Sequence, residues 1–175
     1  SENKVPINGT ISLNAADGLF TIDQADLTTG KSELKATGRF DLFNDNSNLG
    51  LVLRSSDAGE ILNLARLTGI SPEIESQLDD LQANVGGDLA FTGRITGNLT
   101  EPTIEGKASI GSVSLPGRDL GRLTTDVSVT PAQTELREGR LEQPDGGTVA
   151  FNVTIPAGGA NNISVNAELT GVNAG

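Results

Sequence analysis

The sequence predicts an all-β protein: a long, strongly curved, mainly antiparallel sheet with one apolar and one polar face, interrupted by a short helical insert. Three observations predict it. Apolar residues recur at every second position through most of the chain, which is the period of a strand with one dry face. Glycine is abundant, 22 residues in 175, and much of it falls within or beside those alternating runs, where it marks a bulge, a kink or a close approach. The only aromatic residues are Phe20, Phe40, Phe43, Phe91 and Phe151. A compact globule fills its centre with such rings. Their scarcity points to a thin layer, or to a repetitive stack lined by Leu, Ile, Val and Ala.

The alternation starts at once. Val5, Ile7, Gly9, Ile11 and Leu13 share one parity, Phe20 and Ile22 follow, and then Ala25 and Leu27. Leu34, Ala36, Phe40 and Leu42 form a longer run broken by Gly38. The cluster Asn44, Asp45, Asn46, Ser47, Asn48 has the composition of a turn, and Leu49, Leu51 and Leu53 resume the pattern. Beyond residue 88 the texture returns with Leu89, Phe91, Ile95 and Leu99 around Gly93 and Gly97, then Ala108 and Ile110. Leu123, Val127 and Val129 come next, with Leu136 and Leu141 after them. Val149, Phe151, Val153 and Ile155 make one strong strand, and Ile163, Val165, Ala167 and Leu169 another. The pattern amounts to about a dozen strands. No fixed repeat length emerges, so a regular solenoid with a countable repeat is not supported.

Between the two β-rich halves the period changes, and a helical insert is expected over about 57–82. Asp57 stands as N-cap with Glu60 three residues on, the spacing of a capping box, and Gly69 ends the first helix. Ser71 and Pro72 open a second, with Ile74, Leu78 and Leu81 on one face and acidic residues on the rest. This insert reads as a cap on the end of the sheet or as a partner-binding helix.

Charge and residue types exclude several classes. With 23 acidic and 12 basic residues the net charge is −11, so no basic stripe is present to displace counterions from nucleic acid. The same balance opposes docking on an anionic membrane surface and favours solubility. No Cys and no His are present, which removes disulfides, thiol nucleophiles, soft metal ligands and the commonest general base. Neither a catalytic set nor a cofactor is expected. Asp41, Asn44, Asp45 and Asn46 come nearest to a calcium loop, but the required D-x-[DN]-x-[DN]-G spacing is missing. Gly117 to Arg122 lacks the Lys-Ser/Thr ending of a phosphate loop. The chain starts and stops in mid-pattern, and a single domain over 1–175, cut from a longer extracytoplasmic protein, is expected.

The remaining feature is the apolar stripe. It is either ordinary core, packed against a second layer, or an open groove in which each buried CH₂ of a lipid tail contributes about 0.8 kcal/mol.

The stretch Leu89 to Leu115, LAFTGRITGNLTEPTIEGKASIGSVSL, resembles a recurrent pattern of the TamB/AsmA-like superfamily of Gram-negative envelope proteins. The pattern is a Gly-punctuated strand, an acidic residue before Pro, and a strand with an internal Gly: here Gly93, Gly97, Leu99, Glu101, Pro102, Ile104 and Gly106. Phe20 to Leu42, FTIDQADLTTGKSELKATGRFDL, and the sequence around Gly121, Arg122 and Leu123 look like companion motifs. The likeness is greatest to the C-terminal conserved domain of TamB-type proteins, the inner-membrane components of the translocation and assembly module.

The resemblance implies an open, U-shaped β-taco with an apolar concave face. It implies a periplasmic location, within a protein anchored in the inner membrane and extending toward the outer membrane. The implied partners are phospholipid or unfolded outer-membrane protein strands, and a TamA-like outer-membrane barrel in the full-length context. Carried over by position, the lining would comprise Leu34, Ala36, Phe40, Leu51 and Leu53 in the first half. In the second half it would comprise Phe91, Ile95, Leu99, Ile110, Val127, Phe151, Val153, Val165 and Ala167. The function expected is a non-catalytic hydrophobic conduit that carries acyl chains, or shields nascent strands, between the two membranes. The alternative is an adhesin-like surface β-solenoid with a closed core and no cargo.

Overall fold

The computed structural model describes residues 6–68, 79–80, 82–98, 101–157 and 163–170. Those residues form ten strands and one helix. The strands are β1 (Asn8–Ala16), β2 (Leu19–Thr28), β3 (Ser32–Asp41), β4 (Ser47–Ser55), β5 (Asn84–Asn98), β6 (Glu101–Leu115), β7 (Arg118–Val129), β8 (Gln133–Glu142), β9 (Thr148–Pro156) and β10 (Ser164–Thr170). Helix α1 (Ala58–Thr68) lies between β4 and β5.

All ten strands belong to one sheet in the order β1 to β10, and every neighbouring pair is antiparallel. Short polar connections dictate this arrangement, because an antiparallel partner is within reach of a tight turn whereas a parallel one needs a long crossover. Ser32 and Thr29 close the β2–β3 turn, the Thr29 hydroxyl accepting from the Ser32 amide at 2.9 Å. Thr130 and Gln133 repeat the device between β7 and β8.

The strongly curved U-shaped β-taco expected from the sequence is not what the chain forms. The sheet is open and uncurled: among the described residues β1 and β10 are both unpaired edges, and strands pack substantially only on their sequence neighbours, apart from α1 on β5. The physical reason lies in the glycines. The alternating runs were expected to bend at them, but Gly93 and Gly106 instead face each other across β5 and β6 and make room for a ring. A Cβ at Gly93 would sit 2.6 Å from the Phe91 ring, and one at Gly106 would sit 2.8 Å from it. Gly139 likewise lies under the ring of Phe151. These glycines let phenylalanines lie across the sheet, an in-plane packing device that does not fold one wall onto another.

Register is adjusted by bulges. Two residues of β2, Asp23 and Gln24, stand where β3 has Thr37 alone, and Gly87 with Asp88 stands opposite Gly111. Each adds one residue to one strand, and in β2 this brings Ile22 before the bulge and Ala25 after it to the same face. Single-parity counting along the sequence crosses these points in error by one.

The helix is capped as predicted at its N-terminus, but the capping box is only half made. The Asp57 carboxylate accepts from the Gly59 amide at 3.0 Å, which satisfies a donor that the first turn leaves free. Glu60 does not return to Asp57; its carboxylate accepts from the Thr29 hydroxyl at 2.8 Å. The Asp57 amide donates instead to the Ser55 hydroxyl. Lys31 adds an ion pair to Asp57 at 2.7 Å, and Ala58 is wholly buried. The helix start is thereby tied to the β2–β3 turn. The second predicted helix, over 71–81, lies outside the described residues except at positions 79 and 80.

Candidate functional site

Direct cross-strand partners share a face, so the paired residues form rows running across the sheet. One row takes a residue from every strand: Ile11, Ala25, Ala36, Leu51, Gly93, Gly106, Val127, Leu136, Val153, Val165. A second begins at Leu13 and runs through Ile22, Gly38, Leu49, Ile95, Ile104, Val129 and Thr134 to Ile155. A third contains Leu27, Leu34, Leu53, Phe91 and Ala108. Toward the other end, Leu89, Ile110, Leu123, Leu141, Val149 and Leu169 continue the same surface. Phe20 and Phe40 stack at one corner with ring centroids 4.8 Å apart. The result is a single apolar face spanning all ten strands.

Every candidate lining residue named from the sequence lies on that face, with one exception: Leu99 lies outside the described residues. Leu34, Ala36, Phe40, Leu51 and Leu53 are joined to Phe91, Ile95 and Ile110 through β4 and β5. Val127, Phe151, Val153, Val165 and Ala167 occupy its far half. Sequence reasoning gave Leu42 the same parity, but β3 ends at Asp41 and Leu42 is half exposed in the turn. It also passed over Val85 and Val113, which are direct partners. Their signal is present in the alternation of β5 and β6 but is interrupted by the bulge at Gly87 and Asp88.

The face is a surface rather than a core. Among the described residues the buried hydrophobic side chains are only Ala25, Ala36, Ala58 and Ile155, and no large side chain is fully enclosed. Leu34, Leu51, Leu53, Phe91, Ile95, Ile110, Val127, Phe151 and Val153 are half-buried by their in-plane neighbours alone. At the edges Ile11 is 58% exposed and Val165 59%.

The opposite face is a lattice of alternating charge. Arg94 donates to Asn48 at 2.7 Å, Arg122 bonds Ser109 and pairs with Asp88 at 3.0 Å, and Lys107 stands 3.9 Å from Asp126. Two hollows of about 680 and 640 Å³ open on this polar side over β5 to β9, around Lys107, Asp126 and Glu138. They are lined by small residues such as Ala90 and Ala150, by Ser and Thr hydroxyls, and by exposed charges. No reactive pair of titratable groups is buried there.

Among the described residues Asp41 is the one buried carboxylate. It accepts from the Phe43 and Asn44 amides at 3.0 and 3.2 Å and from the side chains of Asn44 and Asn46. The Phe43 amide bond, and then those from the two asparagines, hold its pKa below the usual carboxylate value against the opposing effect of burial. This is the loop that came nearest to a calcium motif. Its carboxylate is engaged in closing the β3–β4 turn. The Lys31 hydrogen bond and charge likewise lower the Asp57 pKa, and Asp57 raises that of Lys31. Among the described residues no group of three or more acidic side chains is placed to hold a metal ion, and no helix is long and apolar enough to cross a membrane.

Comparison with known proteins finds no matching family, no matching curated protein and no matching solved structure.

Proposed function

We propose that this chain is a non-catalytic lipid-binding segment, whose open apolar sheet face receives phospholipid acyl chains during their transfer between the two membranes of a Gram-negative envelope. The observation that carries the reading is the row from Ile11 to Val165, apolar or glycine on all ten strands with no second sheet against it among the described residues. Contiguous apolar surface of this extent on a soluble chain marks an interaction site. Ten strands at about 4.8 Å spacing give a face about 43 Å wide, enough for several acyl chains side by side. Leu, Ile, Val and Gly select no head group, so the face suits a mixed lipid pool.

The energetics are adequate without a polar clamp. A fully buried CH₂ contributes about 0.8 kcal/mol, and a chain lying on an open face dehydrates roughly one side, so a tail of about sixteen carbons gains about 6 kcal/mol. That is weak enough to release, as a carrier requires. The periplasmic location, the inner-membrane anchor elsewhere in the protein and the outer-membrane barrel partner rest on the resemblance of Leu89 to Leu115 to the TamB/AsmA-like superfamily, and belong to the same proposal. A closed-core solenoid is not favoured, because the strands form an antiparallel meander with half-exposed apolar residues.

Transfer of labelled phosphatidylethanolamine from donor to acceptor vesicles tests the reading. The chain is expected to raise the rate in proportion to its concentration. An unchanged rate, with no lipid retained by the chain, would overturn it.

A further inference from the structure

Two neighbouring turns at one end of the sheet hold an apolar tip, and we infer that this tip docks the chain on a bilayer surface of zwitterionic phospholipid, with Leu42 and Phe43 entering the head-group layer. The docking stands on the geometry of the turns. The role it gives them, as the point where lipid enters the apolar face, rests on the lipid-carrying reading above.

Among the described residues seven large hydrophobic residues are exposed, and five of them lie on or beside β1 and β10. The other two, Leu42 at 50% and Phe43 at 75%, are consecutive in the β3–β4 turn. A lone exposed apolar residue is ordinary. An adjacent pair that includes one of only five aromatic rings in the chain is not.

The turn holds that pair out rather than folding it in. The Asp41 carboxylate accepts from the Phe43 and Asn44 amides and from the Asn44 and Asn46 side chains, and the Asp41 amide donates to the Ser47 hydroxyl at 2.9 Å. The β1–β2 turn is tied alongside, because the Leu42 amide donates to the Gly18 carbonyl at 3.1 Å. That turn has two residues, Asp17 and Gly18, both at positive φ, as a tight hairpin requires. The Phe43 ring lies over Gly18, where a Cβ would collide with it. The ring is therefore fixed against backbone while most of the residue faces water.

Position and charge select the partner. Phe20 and Phe40, two residues in from Gly18 and Leu42, stack with centroids 4.8 Å apart, and Ile22, Gly38 and Leu49 form the next row of the apolar face. Apolar surface thus continues from tip to face, and an acyl chain leaving a bilayer there stays out of water. The two turns carry Asp17 and Asp45, both exposed, and no base; Arg39, in the adjoining strand, donates to the Asn46 carbonyl at 3.1 Å. Such a tip is repelled by anionic lipid and complements the ammonium group of phosphatidylethanolamine. Two inserted side chains give weak, reversible attachment.

The chain has no Trp and no Tyr, so in Phe43→Trp the indole is the one strong emitter and reports the tip directly. With neutral vesicles of phosphatidylethanolamine and phosphatidylcholine, its emission is expected to shift to the blue and to be quenched by brominated acyl chains. Replacing the ethanolamine lipid by phosphatidylglycerol is expected to weaken binding severalfold at low salt. In flotation with the neutral vesicles, Phe43→Ser is expected to lower binding about tenfold and Leu42→Ser about fivefold, with fluorescent fatty-acid binding to the face unchanged. Val153→Asp is expected to do the reverse. Both serine variants are checked for folding by circular dichroism, and either one suffices for the test. Emission unchanged by neutral vesicles overturns the inference. Flotation equal in the parent chain and both serine variants also overturns it, and assigns attachment to the sheet face. A blue shift that grows with chain concentration in the absence of vesicles assigns the tip to a second copy and overturns it too. Fatty-acid uptake without docking removes the tip and leaves the lipid reading standing, whereas docking without fatty-acid uptake supports the tip and removes the lipid reading.

Discussion

Replacing Val153 by Asp separates an open apolar face from a closed core. Val153 lies between Leu136 and Val165 in the row that crosses the whole sheet and is half-buried. Half of the burial of a valine side chain is worth about 1 kcal/mol, and a carboxylate at this position can still reach water. The cost to folding is thus about 1–2 kcal/mol, within what a domain of ordinary stability withstands. An acyl chain lying over the same position strips that water away. Desolvating an unpaired polar group costs about 1–3 kcal/mol and a charged one more, which weakens binding by about tenfold to a hundredfold or beyond. The assay is a titration with a fluorescent fatty acid, alongside urea unfolding of the same samples. Ala150→Asp is the control: it sits on the polar face between Arg140 and Glu168, where attraction to one offsets repulsion from the other, and it is expected to leave probe binding unchanged and to move stability by less than about 1 kcal/mol. A Val153→Asp chain that is unfolded in water, or one that folds and binds the probe as tightly as before, refutes the reasoning.

Other expectations follow from the same geometry. Gly106→Ala places a Cβ against the Phe91 ring and the β5 backbone, and urea unfolding should show a loss of about 1–3 kcal/mol, part of which Phe91→Leu restores. Asp57→Ala removes both the amide cap on Gly59 and the Lys31 pair, so it should lower the melting temperature and helical content more than Lys31→Ala does. The depressed pKa values of Asp41 and Asp57 stabilise the fold above the usual carboxylate pKa of about 4, and that stability is lost as pH falls through the lower folded values. The raised pKa of Lys31 acts at the other end: its contribution is complete below the ordinary lysine value of about 10.4 and is lost as pH rises through the folded value. Urea midpoints should therefore be flat from about pH 5 to 9, fall toward pH 3, and fall less steeply there for Asp41→Asn.

The faces of the strands were legible because parity is local. Leu34, Ala36, Leu49, Leu51 and Leu53 announce their side of the sheet through their immediate neighbours alone, and short polar turns imply that consecutive strands pair. Curvature was not legible, because it depends on what lies opposite each glycine. Gly93 and Gly106 look alike whether they bend a strand or seat a ring, and only the register that pairs them beneath Phe91 decides. The N-cap at Asp57 could be read from spacing, whereas the diversion of Glu60 to Thr29 could not, since Thr29 is distant in sequence and approaches only after β2, β3 and β4 have paired. Asp41 shows the same limit. The spacing rules out a calcium loop there, but that the loop's own amides and asparagines hold the carboxylate is seen only once the turn has folded.

The central claim is that the face from Ile11 to Val165 is open to lipid. Native mass spectrometry of the chain purified from a Gram-negative periplasm, with lipid extraction from the same sample, tests it most directly. The account predicts adducts of phospholipid mass, in near-stoichiometric amount, that disappear in Val153→Asp and persist in Ala150→Asp. A bare chain mass, unchanged after incubation with added phospholipid, would contradict it.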